Sequence, residues 1–474
     1  MRDALRELIR SPRQHAATLL VVVVAAMFGT LLIGGTVILS NVVLGNEAFS
    51  GSGTVIVMLA LVAIVFFGIA LFVASLTVSN TFSIVVAGRT GRLALLRLIG
   101  ASARRLRRSI ASEGLLVGLL GAVLGTAAGA ALCLAGAAWA ESAGAGEDLS
   151  AGVVTGWLAW PGLLTALTAW WAAHVGARPV LTVSPLEATR RSAEPALKAV
   201  RSRRGMLVLS VAATVLGAVL LVAGTLLGSL NPVGVLPAFL GGVLSFTGLA
   251  LGAGWVMPAV FRATSLLLGR GTAGRLAAAG IRRHPLRSAR TSMGLVIGVT
   301  LVVMFATAGE TFRTVMQEML DAAGADASAA VEFNRGVDSV LLFLYAMLLF
   351  SVVIAAIGVA NSMKATIMQR ARELALLRVT GLSRGQLWRM IGSEAAHLTV
   401  AAALLAIPLG VFYGWCGVLS MLWSVQGIGF FPPAVPWATL AVVVAGCVLI
   451  TLAATVLPAR RAAAAPPVRA LAVA

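Results

Sequence analysis

Uncharged apolar runs of roughly 20 residues recur along this chain, and they constrain its fold more than any other feature. Residues 19–39, 55–78 and 438–457 contain no Asp, Glu, Lys or Arg. At ~1.5 Å of rise per residue, about 20 apolar residues suffice for a helix to cross the ~30 Å hydrocarbon core of a bilayer. A backbone in lipid must satisfy its own hydrogen bonds, so the runs read as helices. The short alternating segments of an outer-membrane barrel are not in the sequence. Composition agrees: the 474 residues are 59% hydrophobic and 11% charged, with a mean hydropathy of +0.98, too apolar for a soluble chain of this size. Hydropathy places spans near 16–40, 54–82, 113–138, 153–175, 206–229, 235–260, 292–310, 337–362, 393–422 and 435–457. The fold class predicted is therefore an all-α integral membrane protein of about ten transmembrane helices.

The distribution of charge tests that span count. If the N-terminus is cytoplasmic, the inner segments are 1–15, 83–112, 176–205, 261–291, 363–392 and 458–474, and they hold 34 of the 36 Lys and Arg. Only Arg313 and Arg335 fall outside, together with ten of the 17 acidic residues. This positive-inside split predicts both termini in the cytoplasm. It also removes nucleic acid as a partner, because basic residues spread over six inter-span segments are explained by topology and anionic lipid. The first apolar run follows Arg2, Arg6, Arg10 and Arg13 but is too long for a signal peptide, so it is read as a retained span. Cys133, Cys416 and Cys447 sit in apolar runs without CxxC spacing and are read as packing residues.

A second signal is internal duplication. Residues 92–113 and 373–394 align at an offset of 281, with twelve of 22 positions identical, including Arg97/Arg378, Gly100/Gly381, Ser102/Ser383 and Glu113/Glu394. Asn80 pairs with Asn361 at the same offset. Pro12/Pro285 and Thr18/Thr291 mark the fronts of the copies, and 184–188 and 466–470 their ends. Each copy holds four spans, so the repeats are parallel, unlike the inverted pairs of secondary transporters. The predicted domains are a four-span unit at 1–190, a two-span insert at 191–270 and a second four-span unit at 271–474.

Between the second and third spans of each copy, Leu93 and Leu96, and Leu374 and Leu377, recur at helical spacing beside Arg97 and Arg378. Gly100 and Gly381 suit a left-handed helix stop. Ser102 and Ser383 follow as N-caps, with Gln386 completing a capping box in the second copy only. The expected structure is a short amphipathic helix, a hard turn, then a long helix into the membrane. Glu113 and Glu394 are expected at the starts of those long helices, where a carboxylate favours the dipole. An amphipathic helix lying on anionic lipid is the plainer reading of the same pattern.

These residues resemble the FtsX-like (MacB-type) ABC transporter permease family, whose patch reads roughly R-E-[IL]-[AG]-[IL]-L-R-x-x-G-[AM]-S. Residues 372–383 match it closely, whereas the first copy has Gly91-Arg92 in place of Arg-Glu. The prolyl endings at 184–190 and 466–472 are similar to the family's as well. The resemblance covers 1–190 and 271–474 and leaves spans five and six as an insertion. It implies that the amphipathic helix docks in a groove of a separate ABC ATPase, through Leu93, Leu96, Arg97 and Gly100, and through Leu374, Leu377, Arg378 and Gly381. Two copies imply two ATPase subunits per permease, with ATP and Mg bound by the partner and no cofactor in this chain. The ten-span arrangement is similar to that of bacitracin-type peptide-resistance permeases, but their large domain between spans seven and eight is reduced here to about 311–336.

Chemistry within the chain is not expected. Lys198 and Lys364, the only lysines, lack a phosphate-loop context. His15, His174, His284 and His397 are scattered and form no HExxH, so no metal site is predicted. His174 and His397 read as interfacial histidines at span ends. The expected function is the permease subunit of an ABC exporter for a hydrophobic or amphipathic compound such as a lipid, antibiotic or peptide. Two other classes stay open: a membrane regulator that relays ATPase motion to an extracellular partner, and a gradient-driven secondary transporter. The latter would want mid-membrane carboxylates, and none is evident. A candidate substrate path runs along Phe66, Phe67 and Phe72 in span two and Phe343, Tyr345 and Phe350 in span eight, although such aromatic rows also arise from packing. Trp157, Trp160, Trp170 and Trp171 bracket span four as interface anchors, and Asn80 and Asn361 suit interhelical hydrogen bonds. The use of 34 Arg against two Lys, with abundant Ala and Gly, suggests a GC-rich bacterium and its plasma membrane.

Overall fold

The computed structural model of the chain describes residues 12–44, short stretches between 64 and 82, 95–142, 148–150, 156–177, 204–268, 271–283, 285–322, 379–425, 429–442 and a few residues elsewhere. The described residues are helical with no strand, as an all-α membrane protein requires. Two compact units divide the chain, Met1–Glu194 and Pro195–Ala474.

The first unit contains α1 (Pro12–Leu44), α2 (Ala103–Ser142) and α3 (Ala159–Gly176). Small residues on α2 decide how these pack. A side chain at Gly121, Gly125 or Gly129 would overlap α1 at Val22, Val23–Ala26 and Met27–Thr30 in turn, so α1 and α2 touch at backbone distance and run in the same direction. Gly114 and Gly118 meet Ala173 and Ala166–Ala169 of α3, which therefore runs the opposite way. Thr30 donates to the Ala26 carbonyl at 2.9 Å and Thr165 to Pro161 at 2.6 Å, whereas the Thr126 hydroxyl on α2, beside Gly162, has no partner among the described residues.

The second unit opens with a hairpin of α4 (Arg204–Leu227) and α5 (Val235–Leu251), joined by a turn in which Asn231 caps Val233. Gly217, Gly224, Gly241 and Gly248 recur at seven-residue spacing where the two helices meet backbone to backbone. The helix anticipated as one span over 235–260 is interrupted at Gly252, where a Cβ would meet the Ser210 hydroxyl, and continues as α6 (Ala253–Leu268). An amphipathic helix not anticipated from the sequence follows, α7 (Thr272–Arg283), with Ala277, Ala278 and Ile281 buried. Then come α8 (Pro285–Ala322) and α9 (Arg384–Leu422). Gly410 meets Thr300 and Val303, and Gly414 meets Met304 and Thr307, so α8 and α9 also run in the same direction. The hairpin joins α9 through Gly228 against Ser420 and a 2.9 Å hydrogen bond between the hydroxyls of Ser245 and Tyr413.

Six helices among the described residues are long and apolar enough to cross a membrane: Thr18–Ile38, Ala103–Ser142, Gly205–Leu227, Pro232–Leu251, Ser292–Ala322 and Gly385–Leu422. They coincide with anticipated spans one, three, five, six, seven and nine. Span four appears as α3, and part of span ten as the shorter apolar helix Trp437–Gly446. Most of spans two and eight lies outside the described residues.

Candidate functional site: two helix–glycine turns

Residues 95–98 are the described part of the repeated amphipathic helix in the first unit. It stops at Gly100, whose φ of 98° lies in the left-handed region that a side chain would strain. The Gly100 N–H donates to the Arg97 carbonyl at 3.1 Å and the Ala101 N–H to the Leu96 carbonyl at 2.9 Å. Those two bonds form a Schellman stop, which satisfies carbonyls that the helix end would otherwise leave open. Ser102 then accepts from the Arg105 N–H at 3.3 Å and starts α2. Only the two residues Ala101 and Ser102 separate the turn from a rod of 40 residues, roughly 60 Å long.

The same construction appears in the second unit. Gly381 has a φ of 101°, and Ser383 accepts from the Gln386 N–H at 3.2 Å while the Gln386 side chain accepts from the Ser383 N–H at 3.0 Å. This is the capping box anticipated for the second copy alone. It starts the 39 residues of α9. Nothing lies within 4 Å of where a Cβ would stand on Gly100 or Gly381, so backbone conformation and not crowding selects glycine at both.

The faces of the short helix differ from the simplest helical reading. Leu96 and Arg97 are half-buried. The apolar side chains that stand out are Leu95, Leu98 and Ile99, at 65, 55 and 81% exposure, and Val379 in the second copy. The repeat spacing concealed them because it flagged the leucines that recur, whereas exposure follows which side of the helix faces the rest of the unit. Leu93, Leu374, Leu377 and Arg378 lie outside the described residues.

Below the turns, the identical residues of the repeat fall on matching buried faces: Leu106, Ile110 and Glu113 on α2, and Leu387, Ile391 and Glu394 on α9. Glu113 and Glu394 are not at helix starts. The helices begin at Ala103 and Arg384, about three turns earlier, and both carboxylates are buried. Arg107 donates through Nε to the His174 carbonyl at 3.1 Å, tying the first turns of α2 to the last turn of α3. His397 is buried within the protein, 1% exposed, and its Nδ1–H donates to the Ser393 carbonyl at 2.7 Å.

Of the aromatic path, Phe67 and Phe72 are half-buried, and the Phe67 ring fills the space beside Gly29 of α1. Phe66, Phe343, Tyr345 and Phe350 lie outside the described residues, as do Asn80 and Asn361. No group of three or more His, Cys, Asp or Glu among the described residues could hold a metal ion. What the turns offer is mechanical: a left-handed glycine leading straight into a long helix in both units, with an apolar knob described in the first.

Comparison with known proteins gives this construction a family. The family model described as FtsX-like permease C-terminal matches residues 64–173 and 345–467, taking in both turns. A pyoverdine export ATP-binding/permease protein of Pseudomonas aeruginosa is 36% identical over 133 residues, 28% of this chain and 18% of that protein. An uncharacterized ABC transporter permease of Mycobacterium tuberculosis is 26% identical over 140 residues, 28% of this chain and 16% of its own length. An uncharacterized ABC transporter permease of Bacillus subtilis is 30% identical over 121 residues, 26% of this chain and 28% of its own length. The chain thus spans less than a third of each of these relatives. Both turns lie within regions that match the FtsX-like permease family.

Proposed function

We propose that the chain is the membrane subunit of an ABC exporter, moved by a separate ATPase that binds ATP and Mg and docks on the two helix–glycine turns. The observation that carries this reading is the continuity from an exposed apolar knob, through a left-handed glycine, into a rod of about 40 residues, with the glycine and the rod present in both units. Force applied at Leu95, Leu98 and Ile99 reaches the membrane through α2 with no flexible linker between. Two turns per chain fit two ATPase subunits.

Orientation follows from charge: the turns and both termini face the cytoplasm of a bacterium, and ten spans cross its plasma membrane. The parallel directions of α1 and α2, and of α8 and α9, support this count, because each pair then needs an odd number of crossings between its members. The four-span units at 1–190 and 271–474, with a two-span insert between them, fit the same directions. The likeness to proteins named for pyoverdine export supports outward transport of an amphipathic compound.

The test is co-purification of the tagged permease with its candidate ATPase, comparing wild type, Leu98→Glu plus Ile99→Glu, and Arg97→Glu plus Arg378→Glu. A charge on the knob removes apolar burial of about 1.5–3 kcal/mol per side chain from an interface, so at least a tenfold loss of binding is expected for each double variant. A knob variant that binds as tightly as wild type removes the docking assignment. Failure of any ATPase to bind the wild type removes the exporter reading itself.

A further inference from the structure

One face of α8 carries polar groups that nothing among the described residues satisfies. Ser292, Thr300 and Thr307 are almost completely buried, and the hydroxyl of each lacks a hydrogen-bond partner. They recur with Val296, Val303 and Thr311 at steps of three or four residues, which sets all six on one side of the helix. That side meets α9, where Gly410 lies against Thr300 and Val303, and Gly414 against Thr307. Several described threonines on other helices close on their own helix, Thr30, Thr225 and Thr399 each donating to the carbonyl four residues earlier, and Thr126 on α2 is a single open hydroxyl with no others in its row. Three open hydroxyls in one row of a membrane helix are an exception to that habit, since a buried polar group without a partner is costly.

The row has a built end. Thr311, the last hydroxyl on this face, accepts from the Ala434 N–H at 3.2 Å. Residues 429–436 fold back there over the ends of α8 and α9. Trp415 donates through Nε1 to the Phe431 carbonyl at 2.9 Å, and the Phe431 ring is buried among Val315, Leu419 and Leu422. Phe430 stands outside, its ring centroid 5.8 Å from those of both Trp415 and Trp423. The first unit has no counterpart row. At the offset of 273 that aligns Pro12 with Pro285, the residues on α1 are Leu19, Met27, Gly34 and Ile38.

We propose that this face of α8 is a binding track for the polar side of an amphipathic cargo that presents hydroxyl or amide groups, closed at its outer end by residues 429–436. The proposal rests on the exporter reading for direction and energy, and it deepens that reading by naming the cargo's chemistry. The open hydroxyls supply hydrogen bonds to cargo where lipid tails supply none. The glycine surface of α9 faces the track by van der Waals contact, so the two helices can part as the rods move. Release then requires only the Thr311–Ala434 bond and the Phe431 anchor to let go.

The experiment places single cysteines at Thr300, Thr307 and the equally buried Val302, on another side of α8, in a full-length chain carrying Cys133→Ala, Cys416→Ala and Cys447→Ala. The chains are reconstituted in vesicles with the ATPase, and a charged, membrane-impermeant methanethiosulfonate reagent is the probe. With ATP turning over, Thr300→Cys and Thr307→Cys should react at least tenfold faster than Val302→Cys. Adding Phe431→Ala should expose Thr307→Cys even without nucleotide. Submicellar dodecyl maltoside, which carries hydroxyls, should slow the labelling, whereas dodecyltrimethylammonium, which cannot hydrogen-bond, should not. Labelling no faster than at Val302, with and without Phe431→Ala, overturns the track. Equal protection by the two amphiphiles overturns its polar specificity. ATPase binding and turnover, measured in the same vesicles, report on the exporter reading separately: a working complex with a silent track sinks the track alone. Without a complex, the Phe431→Ala arm still decides it.

Discussion

The two units keep the same contact and surround it with different chemistry. Gly129 of α2 lies against Met27 and Thr30 of α1, and Gly410 of α9 lies against Thr300 and Val303 of α8. Those partners are related by the offsets of 281 and 273 that align the helices, so this backbone contact recurs in both copies at the level of single residues. Around it the contact between α1 and α2 is sealed. Gly121 and Gly125 extend the backbone contact, the Thr30 hydroxyl is satisfied within α1, and Cys133 sits buried against the Thr30 carbonyl. In the second unit Ala402 and Ala406 replace those glycines and Gly414 replaces the cysteine, while threonines replace Met27 and Gly34. One pair of helices is built to stay together, and the other holds unused hydrogen-bonding capacity at its contact. Two halves that move alike have no need of that difference.

The largest effect should come from filling the shared contact. A valine at Gly129 would put its side chain on the Met27 carbonyl and Thr30, and one at Gly410 on the Thr300 carbonyl and Val303. Overpacking a tight interior costs about 1–3 kcal/mol, so each variant should lower the thermal midpoint of the detergent-solubilised protein by several degrees. Gly136→Ala, on an exposed face of α2 with nothing within 4 Å, should be neutral or stabilising by up to about 1 kcal/mol. If Gly129→Val is damaging and Gly410→Val is tolerated, the second contact is already loose at rest. The comparison would then turn on mobility as well as on polarity.

How much of this could be read in the sequence depends on distance along the chain. The turns are local: Gly100 and Gly381 need only the end of a leucine-rich helical stretch to be assigned a left-handed stop, and Ser383 with Gln386 needs only a spacing of three. Apolar length likewise exposes spans such as Thr18–Ile38 without any knowledge of neighbours. What was hidden is relational. Nothing near His397 in the sequence distinguishes an interfacial histidine from one with 1% of its surface exposed. Glu113 and Glu394 looked like helix starts because hydropathy detects where a membrane begins, whereas α2 and α9 begin about three turns before it. The partners of Gly129 and Gly410 lie about 100 residues away, and only packing reveals them. The exposed knob residues Leu95, Leu98 and Ile99 were missed for the same reason.

Smaller, and equal in both units, should be the effect of removing the left-handed glycines. Gly100→Ala and Gly381→Ala each place a Cβ in open space but force an unfavourable φ, at about 1–2 kcal/mol. ATPase stimulation by the permease should fall in both while folding persists. The caps should separate the copies: Ser383 exchanges two hydrogen bonds with Gln386, whereas Ser102 accepts one from Arg105. Ser383→Ala should therefore cost more than Ser102→Ala, each by about 0.5–2 kcal/mol. Equal losses would mean that the box adds nothing to the cap.

The smallest effect is the most discriminating, because its sign differs between the units. Threonine and valine have nearly the same shape, so exchanging them isolates the hydroxyl. Thr30→Val removes a donor already bonded to the Ala26 carbonyl at 2.9 Å; hydrogen bonds between membrane helices average about 0.6 kcal/mol, which serves as an upper guide for this bond within one helix. The variant should be slightly less stable than wild type. Thr300→Val and Thr307→Val remove hydroxyls that have no partner among the described residues, so neither loses a bond and each sheds a buried polar group; both should be neutral or more stable, by less than about 1 kcal/mol. Chemical denaturation of the three variants in one detergent resolves differences of that size when the slopes match. A loss at Thr307 comparable to that at Thr30 would mean its hydroxyl is bonded in the resting protein. The hydrogen-bonding capacity that separates the second unit from the first would then be absent at the outer half of α8.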